Sequence, residues 1–399
     1  MNRPSPTAPS VTSNARPDVP PAALPHRVDA VVIGAGIVGT ACAWRLASEG
    51  RRVVVLDPGP PGHLATAAGM GHIVLIDDAP AQLALSRYGR DLWNSLGPGL
   101  PDEAAFRRPG TLWIAGNDAE WELAKRKQAH IASLRLGARL VEGGELARLE
   151  PRLRGGLLGA LLVPDDGIVY APAAAVWLLD QAVRAGGTFV RGASAALIDP
   201  DGVVLRDNRR IDAPIVVNAA GTAAPSLMKG LGPDLPIRPR KGHLILTKPS
   251  PGWCGREVIE LGYLTSAHGQ ADESIAFNVQ PRAEGRLLIG ASRQYGSASD
   301  EIEPRIIEAL MARAERFLPG IRGVEVERMW TGFRAATPDA HPMIGPHPAR
   351  AGLFVAAGHE GLGITTALAT GHMIADMAAG RACAVDARPF DPARGLRWA

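Results

Sequence analysis

From Val28 the chain changes its hydrophobic rhythm three times within thirty residues. VDAVVIGAGIVGTACAWRLASEGRRVVVLD runs from an apolar stretch through a glycine cluster and a helix-like segment to a second β-branched stretch that ends at Asp57. That succession predicts strand, turn, helix and strand. Two later segments repeat the strand-then-glycine pattern: IDAPIVVNAAG, closing at Gly221, and AGLFVAAGHEGLGITTALATGHMIADM, from Ala351 to Met377. Both are expected as further parallel strands of one sheet. The intervening KGHLILTK, FNVQPRAEGRLLIGASR and VERMWTGF are short β-rich runs separated by turn residues, as in an antiparallel sheet. The alternation of textures predicts an α/β domain in three pieces (28–84, 165–228 and 335–387) and a second domain in the insertions (85–164 and 229–334).

Gly34, Gly36 and Gly39 spell G-x-G-x-x-G between the first strand and its helix. The three glycines serve a tight turn, close backbone approach to a pyrophosphate, and close helix-to-strand packing. Asp57 follows at the end of the second strand, where a carboxylate can accept hydrogen bonds from ribose hydroxyls. Strand before, helix after and acid at this distance favour a dinucleotide over an inert glycine turn. The fingerprint does not by itself separate FAD from NAD. Strand and glycine elements scattered as far as Gly221 and Gly363 suit a long cofactor held in an extended pose.

Composition narrows the partners. Charged residues make up 21% and the hydrophobic set 46% of 399 residues, which is ordinary for a packed enzyme-sized protein. Forty-three basic against forty acidic residues leave +3, so there is no broad nucleic-acid signal. Only five of the basic residues are lysine. Cys42, Cys254 and Cys383 stand far apart, with no C-x-x-C, so neither a disulfide framework nor a cysteine-ligated metal is expected. A cytoplasmic location is expected, with peripheral attachment to the inner membrane as the alternative. Residues 1–27, rich in proline and small polar residues, are expected to be a disordered leader, and 388–399 a tail.

Five ordered blocks carry a family resemblance: VVIGAGIVGTACAWRLASEG, VVNAAGTAAPSL, PIRPRKGHLILT, VQPRAEGRLLIGASR, and WTGFRAATPDAHPMIG followed by GLFVAAGHEGLGITTALATG. From about Val28 to Gly380 the chain resembles the FAD-dependent family of D-amino-acid oxidase, glycine oxidase and sarcosine oxidase. ATAAGMGHIVLIDDAPAQLALSRYGRDLW and GHEGLGITT most resemble D-hydroxyproline dehydrogenase, and less closely the flavin subunits of hydrogen cyanide synthase and opine oxidase. The implied fold is an FAD-binding Rossmann-like domain of the glutathione-reductase type interleaved with a D-amino-acid-oxidase-type substrate domain. Some members tether FAD through a cysteine just before T-P-D, and others through a histidine where this chain has Thr66. Thr331 to Ala336 holds no cysteine, so non-covalent FAD is expected. Some oxygen-reactive members carry a lysine where Leu288 stands.

The resemblance implies that Thr66, Ala67, Ala68, Gly69 and Met70 line the flavin. Ala220 and Gly221, which close the segment IDAPIVVNAAG, are expected cofactor contacts too. Gly358, Gly361, Leu362, Gly363, Ile364 and Thr365 form a second strand-to-helix junction, joining Ala35, Ile37 and Val38 of the first loop as expected cofactor contacts. Arg334 matches the position that grips a substrate carboxylate, and its bland alternative is an ion pair with Asp339. His359 and His243 are candidate proton acceptors, because imidazole titrates near neutrality, but they could equally be packing residues. His72 and Tyr263 are weaker candidates. The expected reaction oxidises the C–N bond of an amino or cyclic imino acid by hydride transfer to flavin, with a quinone, another carrier or oxygen as electron acceptor. The alternatives are a glycine- or sarcosine-type oxidase releasing hydrogen peroxide, a flavin subunit of a hetero-oligomeric dehydrogenase, and an NAD-binding protein.

Overall fold

The computed structural model describes residues 24–75, 79–263 and 271–398. Its six-stranded sheet runs in the order Met343–Pro346, Leu353–Ala357, Ile215–Asn218, Ala30–Ile33, Val53–Asp57, Thr188–Arg191. Five strands are parallel, and Met343–Pro346 is an antiparallel edge. The β-branched runs have no polar alternation because both faces are covered. Val32, Val53 and Val55 pack with Leu46 of the helix Ile37–Ser48 and with Met373 and Ile374 of the helix Gly363–Ala378. On the other face, Val31, Val54 and Leu56 meet Ile198, Val203 and Ile211 of a three-stranded antiparallel sheet.

An eight-stranded sheet forms the second body, in the order Val326–Ala336, Arg238–Thr247, Leu287–Gln294, Glu273–Pro281, Glu257–Glu260, Thr111–Ala115, Gly159–Val163, Arg139–Glu142. It is antiparallel apart from the pairing of Glu257–Glu260 with Thr111–Ala115. One face is apolar: Ile245, Phe277, Val279 and Ile289 pack on Ile306, Leu310 and Ala314 of the helix Pro304–Glu315. Side chains alternate across a strand, so the residues between these positions point to the opposite face.

Four sequence expectations shift. The cut at 84/85 falls inside the helix Pro80–Leu96, whose Leu85 is buried in the core of the six-stranded sheet. The cut at 334/335 falls inside the strand Val326–Ala336. The expected disordered leader is too long at its end: Leu24 packs against the core, and the Asp212 N–H donates to the His26 carbonyl at 2.8 Å. Apolar burial of Leu24 and this backbone bond hold 24–27, whereas 1–23 lie outside the described residues. The tail also folds back, with Phe390 fully buried and Trp398 Nε1 donating to the Pro236 carbonyl. Among the described residues, no helix is long and apolar enough to cross a membrane.

Candidate active site

The glycine loop is held by its own acid. Asp57, 5% exposed, accepts from the Ala35 N–H at 2.7 Å and from the Gly59 N–H at 2.8 Å. A carboxylate has about four acceptor sites, so these two bonds fix the loop and leave capacity for a hydroxyl. A Cβ on Gly39 would overlap the Gly34 carbonyl oxygen, which makes Gly39 the point of closest helix-to-strand approach. Gly36 differs: a Cβ there would meet only Thr66 Oγ1, at 3.3 Å. No packing inside the protein demands a glycine at 36, whereas an approaching phosphate would. The N-cap residue of the helix that begins at Ile37, Gly36, has no side chain, and apart from the Ile37 N–H that Thr66 takes, the first turn presents its dipole to an anion.

The three candidate segments converge. Thr66 Oγ1 accepts from the Ile37 N–H at 3.0 Å, tying the 66–70 segment to the glycine loop. A Cβ on Gly69 would lie 3.0 Å from Ile364, and one on Gly363 would lie 3.9 Å from Val38. The N-cap residue of the helix from Gly363, Leu362, makes no side-chain cap bond. Thr365, by contrast, is spent on structure, donating to the His72 carbonyl and accepting from the Val74 N–H. Ala220 and Gly221 lie beside the loop: a Cβ on Gly34 would come 3.3 Å from Ala220 Cα.

The same 66–70 segment reaches the eight-stranded sheet. Trp330 Nε1 donates to the Ala68 carbonyl, a Cβ on Gly290 would sit 3.1 Å from Met70 Sδ, and Arg282 donates to the Met70 carbonyl. The sheet face opposite the helix Pro304–Glu315 therefore meets the nucleotide domain. That face is polar. Asn278 and Gln280 are fully buried, yet both polar atoms of each side-chain amide lack a partner, and so do Nε and Nη1 of Arg293, which is 3% exposed. Buried polar groups are normally hydrogen-bonded, so such a row on one face is what a ligand-covered surface looks like when the protein atoms are taken alone. FAD and an amino-acid substrate fit these residues: phosphate donors at the two helix ends and hydrogen-bonding side chains on the facing sheet.

Arg334 lies on this face, directly across from Arg240. Gly242 leaves room for its guanidinium, since a Cβ there would collide with Arg334 Nη1. The Asp339 ion pair does not form with Arg334, because Asp339 pairs with Arg394 at 2.9 Å. Among the described residues, Arg334 donates only to the Ser292 carbonyl, at 3.0 Å. Burial, reinforced by the neighbouring Arg293 charge, pushes its pKa down to about 10, so it remains a cation at neutral pH in need of an anion. Glu360 does not answer that need, because it pairs with Arg240 at 2.6 Å.

The histidines are placed differently. Nε2 of His243 accepts from the Glu303 N–H at 3.1 Å, so Nδ1 carries the proton and faces Ser292 Oγ at 3.1 Å. Both nitrogens are engaged, on the helix-covered face. His359 sits at the second junction, but Nε2 faces Thr370 Oγ1 at 3.0 Å, and burial pushes its pKa down to about 3. Both nitrogens of His243 are thus taken, and the depressed pKa of His359 works against its taking a substrate proton. His72 pairs with Glu257 at 2.5 Å, and Tyr263 lies against the Arg293 guanidinium at 4.3 Å. Sequence reasoning passed over Asn278 and Gln280, although alternation in FNVQ, with Phe277 and Val279 in the core, was the signal that could have found them. Among the described residues, no group of acidic, histidine or cysteine side chains could hold a metal.

The neutral state of His359 has a consequence for stability. Its folded pKa lies below the ordinary value of 6.5, so the unfolded chain binds more protons as pH falls. The contribution is neutral above pH ~6.5 and increasingly destabilising down toward pH ~3. Wild type is expected to lose more thermal stability between pH 7 and 5 than His359→Gln, as read by melting temperature. Parallel pH dependences would contradict the buried, neutral ring.

The arrangement of a glycine-loop nucleotide domain facing a polar sheet is that of a flavoprotein. The profile of the FAD-dependent oxidoreductase (DAO) family matches residues 29–377, and the chain belongs to that family. It is 30% identical over 369 residues to a glycine oxidase of Bacillus licheniformis, covering 89% of this chain and 94% of that one. It is 27% identical to D-amino acid dehydrogenase 2 of Ralstonia nicotianae, over 91% of this chain and 99% of the relative. Among solved structures, glycine oxidase from Geobacillus kaustophilus superposes with a TM-score of 0.84 at 28% identity, covering 94% of this chain and 100% of that one. The protein is thus an FAD-dependent oxidoreductase, and the NAD-binding alternative falls away.

Proposed function

We propose that this enzyme oxidises the α C–N bond of an amino or imino acid whose carboxylate is held by Arg334. The observation that carries this reading is a half-buried arginine on the polar sheet face, without an acidic partner among the described residues, beside the segment that joins the two domains. Bound FAD supplies a two-electron acceptor that takes the α-hydrogen with its electron pair, leaving an imine and a proton released to solvent. The protein's part is geometric. Arg334 orients the carboxylate through a planar fork, and the enclosed polar face excludes bulk water. With His243 and His359 engaged elsewhere, the substrate is expected to enter as the neutral amine or to lose its ammonium proton to water. The resemblance of the 66–70 segment and of GHEGLGITT to D-hydroxyproline dehydrogenase supports a secondary amine, such as a ring nitrogen, as the group oxidised.

The test is anaerobic mixing of purified protein with glycine, sarcosine, proline and hydroxyproline isomers and D-amino acids, following loss of flavin absorbance. Bleaching by at least one is expected, and failure with all would overturn the reading. Leu288 and the dehydrogenase relative support a quinone or dye as a faster acceptor than oxygen, while the glycine oxidases among the relatives support oxygen. Reoxidation in air against reoxidation by an added quinone separates them. Neither tethering position is filled, so acid precipitation should release the flavin to the supernatant. Colour retained in the pellet would contradict non-covalent binding.

A further inference from the structure

Arg334 is not alone on its face. Ser292 Oγ contacts His243, and Gln294 reaches Glu303 at 3.1 Å, so both point to the helix-covered side of the sheet. Arg293, between them, points to the polar side. There it stacks on Tyr263, and Arg334 feels its charge. The Arg334 guanidinium lies over Gly242 and bonds the carbonyl of Ser292, the residue next to Arg293, so the two cations share one region of the polar face. Arg293 is 3% exposed, its Nε and Nη1 lack partners, and Glu360, whose charge also reaches Arg334, is engaged by Arg240. One carboxylate satisfies one fork. A second cation buried without an anion is an uncompensated charge, which is strongly unfavourable.

We propose that Arg293 is a specificity-determining residue that binds a second carboxylate, and that the preferred substrates are amino acids carrying an acidic group beyond the α-carboxylate. The proposal rests on the reading of Arg334 as the α-carboxylate anchor. Asn278 and Gln280 supply uncharged donors and acceptors on the neighbouring strand, which suit the chain between the two acids. A second acid accepts from Arg293, whose Nε and Nη1 the protein leaves open, and balances the paired positive charge.

The experiment compares kcat/KM for dicarboxylate substrates (iminodiacetate, D-aspartate, D-glutamate) with that for monocarboxylates (sarcosine, D-alanine, D-proline), in wild type, Arg293→Met and Arg293→Lys holoenzymes. Wild type is expected to favour a dicarboxylate over its monocarboxylate counterpart at least tenfold. Arg293→Met should reduce that ratio at least tenfold and Arg293→Lys by less. In parallel, binding of malonate, succinate and acetate to oxidised holoenzyme is followed by perturbation of the flavin spectrum. A dicarboxylate should bind wild type at least tenfold tighter than acetate, and Arg293→Met should lose that preference. A ratio unchanged by Arg293→Met overturns the proposal. So does a fall of the same factor for both substrate classes, which would assign Arg293 to the α-carboxylate itself, and so does a preference for 4-hydroxy-D-proline over every dicarboxylate. Failure of the underlying reading looks different: no amino acid of either class reduces the flavin. Folding of each variant is checked by its bound FAD.

Discussion

Gly36→Val is expected to give a folded but colourless protein, and Gly39→Ala a protein that folds poorly whether or not FAD is present. The two glycines are three residues apart in one motif, and the structure separates their roles. At Gly36 the backbone φ is −69°, a value valine adopts readily, and an added Cβ meets only Thr66 Oγ1, at 3.3 Å. The cofactor-free fold should tolerate that contact. What the side chain removes is the approach of a phosphate to the loop. The loss is a charge-assisted hydrogen bond of about 1.5–3 kcal/mol together with the cost of overpacking, ~1–3 kcal/mol, which amounts to about two orders of magnitude or more in affinity. At Gly39 a Cβ would overlap the Gly34 carbonyl, and helix and strand must separate. Displacing that contact is expected to cost ~1–3 kcal/mol or more of stability. Flavin content after purification and urea unfolding of the cofactor-free proteins measure the two effects. Stoichiometric FAD in Gly36→Val, or wild-type stability in Gly39→Ala, would remove the corresponding role.

That the motif could be read in sequence, while the substrate face could not, has a physical cause. The glycine loop is local: strand, turn, helix and acid lie within 28 residues, and each is dictated by its neighbours. The β-branched runs were legible as buried strands because both their faces are covered. The substrate face is assembled from strands distant in sequence, and its register is irregular where it matters. Pairing of Arg238–Thr247 with Leu287–Gln294 shifts between Lys241 and Ile245, and pairing of Glu273–Pro281 with the same strand shifts between Ile275 and Asn278. Simple alternation counted from Ile289 would put Arg293 on the wrong side. The pairing of Asp339 with Arg394 bridges 55 residues, and only the folded tail reveals that it leaves Arg334 without an acid. His243 shows the converse. Its residue type suggested proton transfer, but the partners that occupy both ring nitrogens, Ser292 and Glu303, are 49 and 60 residues away.

Arg334→Ala should lower kcat/KM for the carboxylate substrate by at least tenfold and up to about 150-fold, the equivalent of a charge-assisted fork worth ~1.5–3 kcal/mol. Structural stability should not carry the effect, because among the described residues the side chain makes one hydrogen bond, to the Ser292 carbonyl, and no ion pair with Asp339. Removing it also relieves the repulsion from Arg293 that helps push its pKa down. The variant is therefore expected to keep its FAD and its urea midpoint. Arg334→Lys should recover only part of the activity: an ammonium restores the charge but cannot make two parallel hydrogen bonds to one carboxylate. A substrate analogue without the carboxylate, pyrrolidine in place of proline, should be poor with wild type and lose far less on substitution, since the removed interaction was never made. Equal turnover of the carboxylate substrate by Arg334→Ala and wild type would show that the anchor lies elsewhere on the face, and Arg293 would then be the first residue to test in its place.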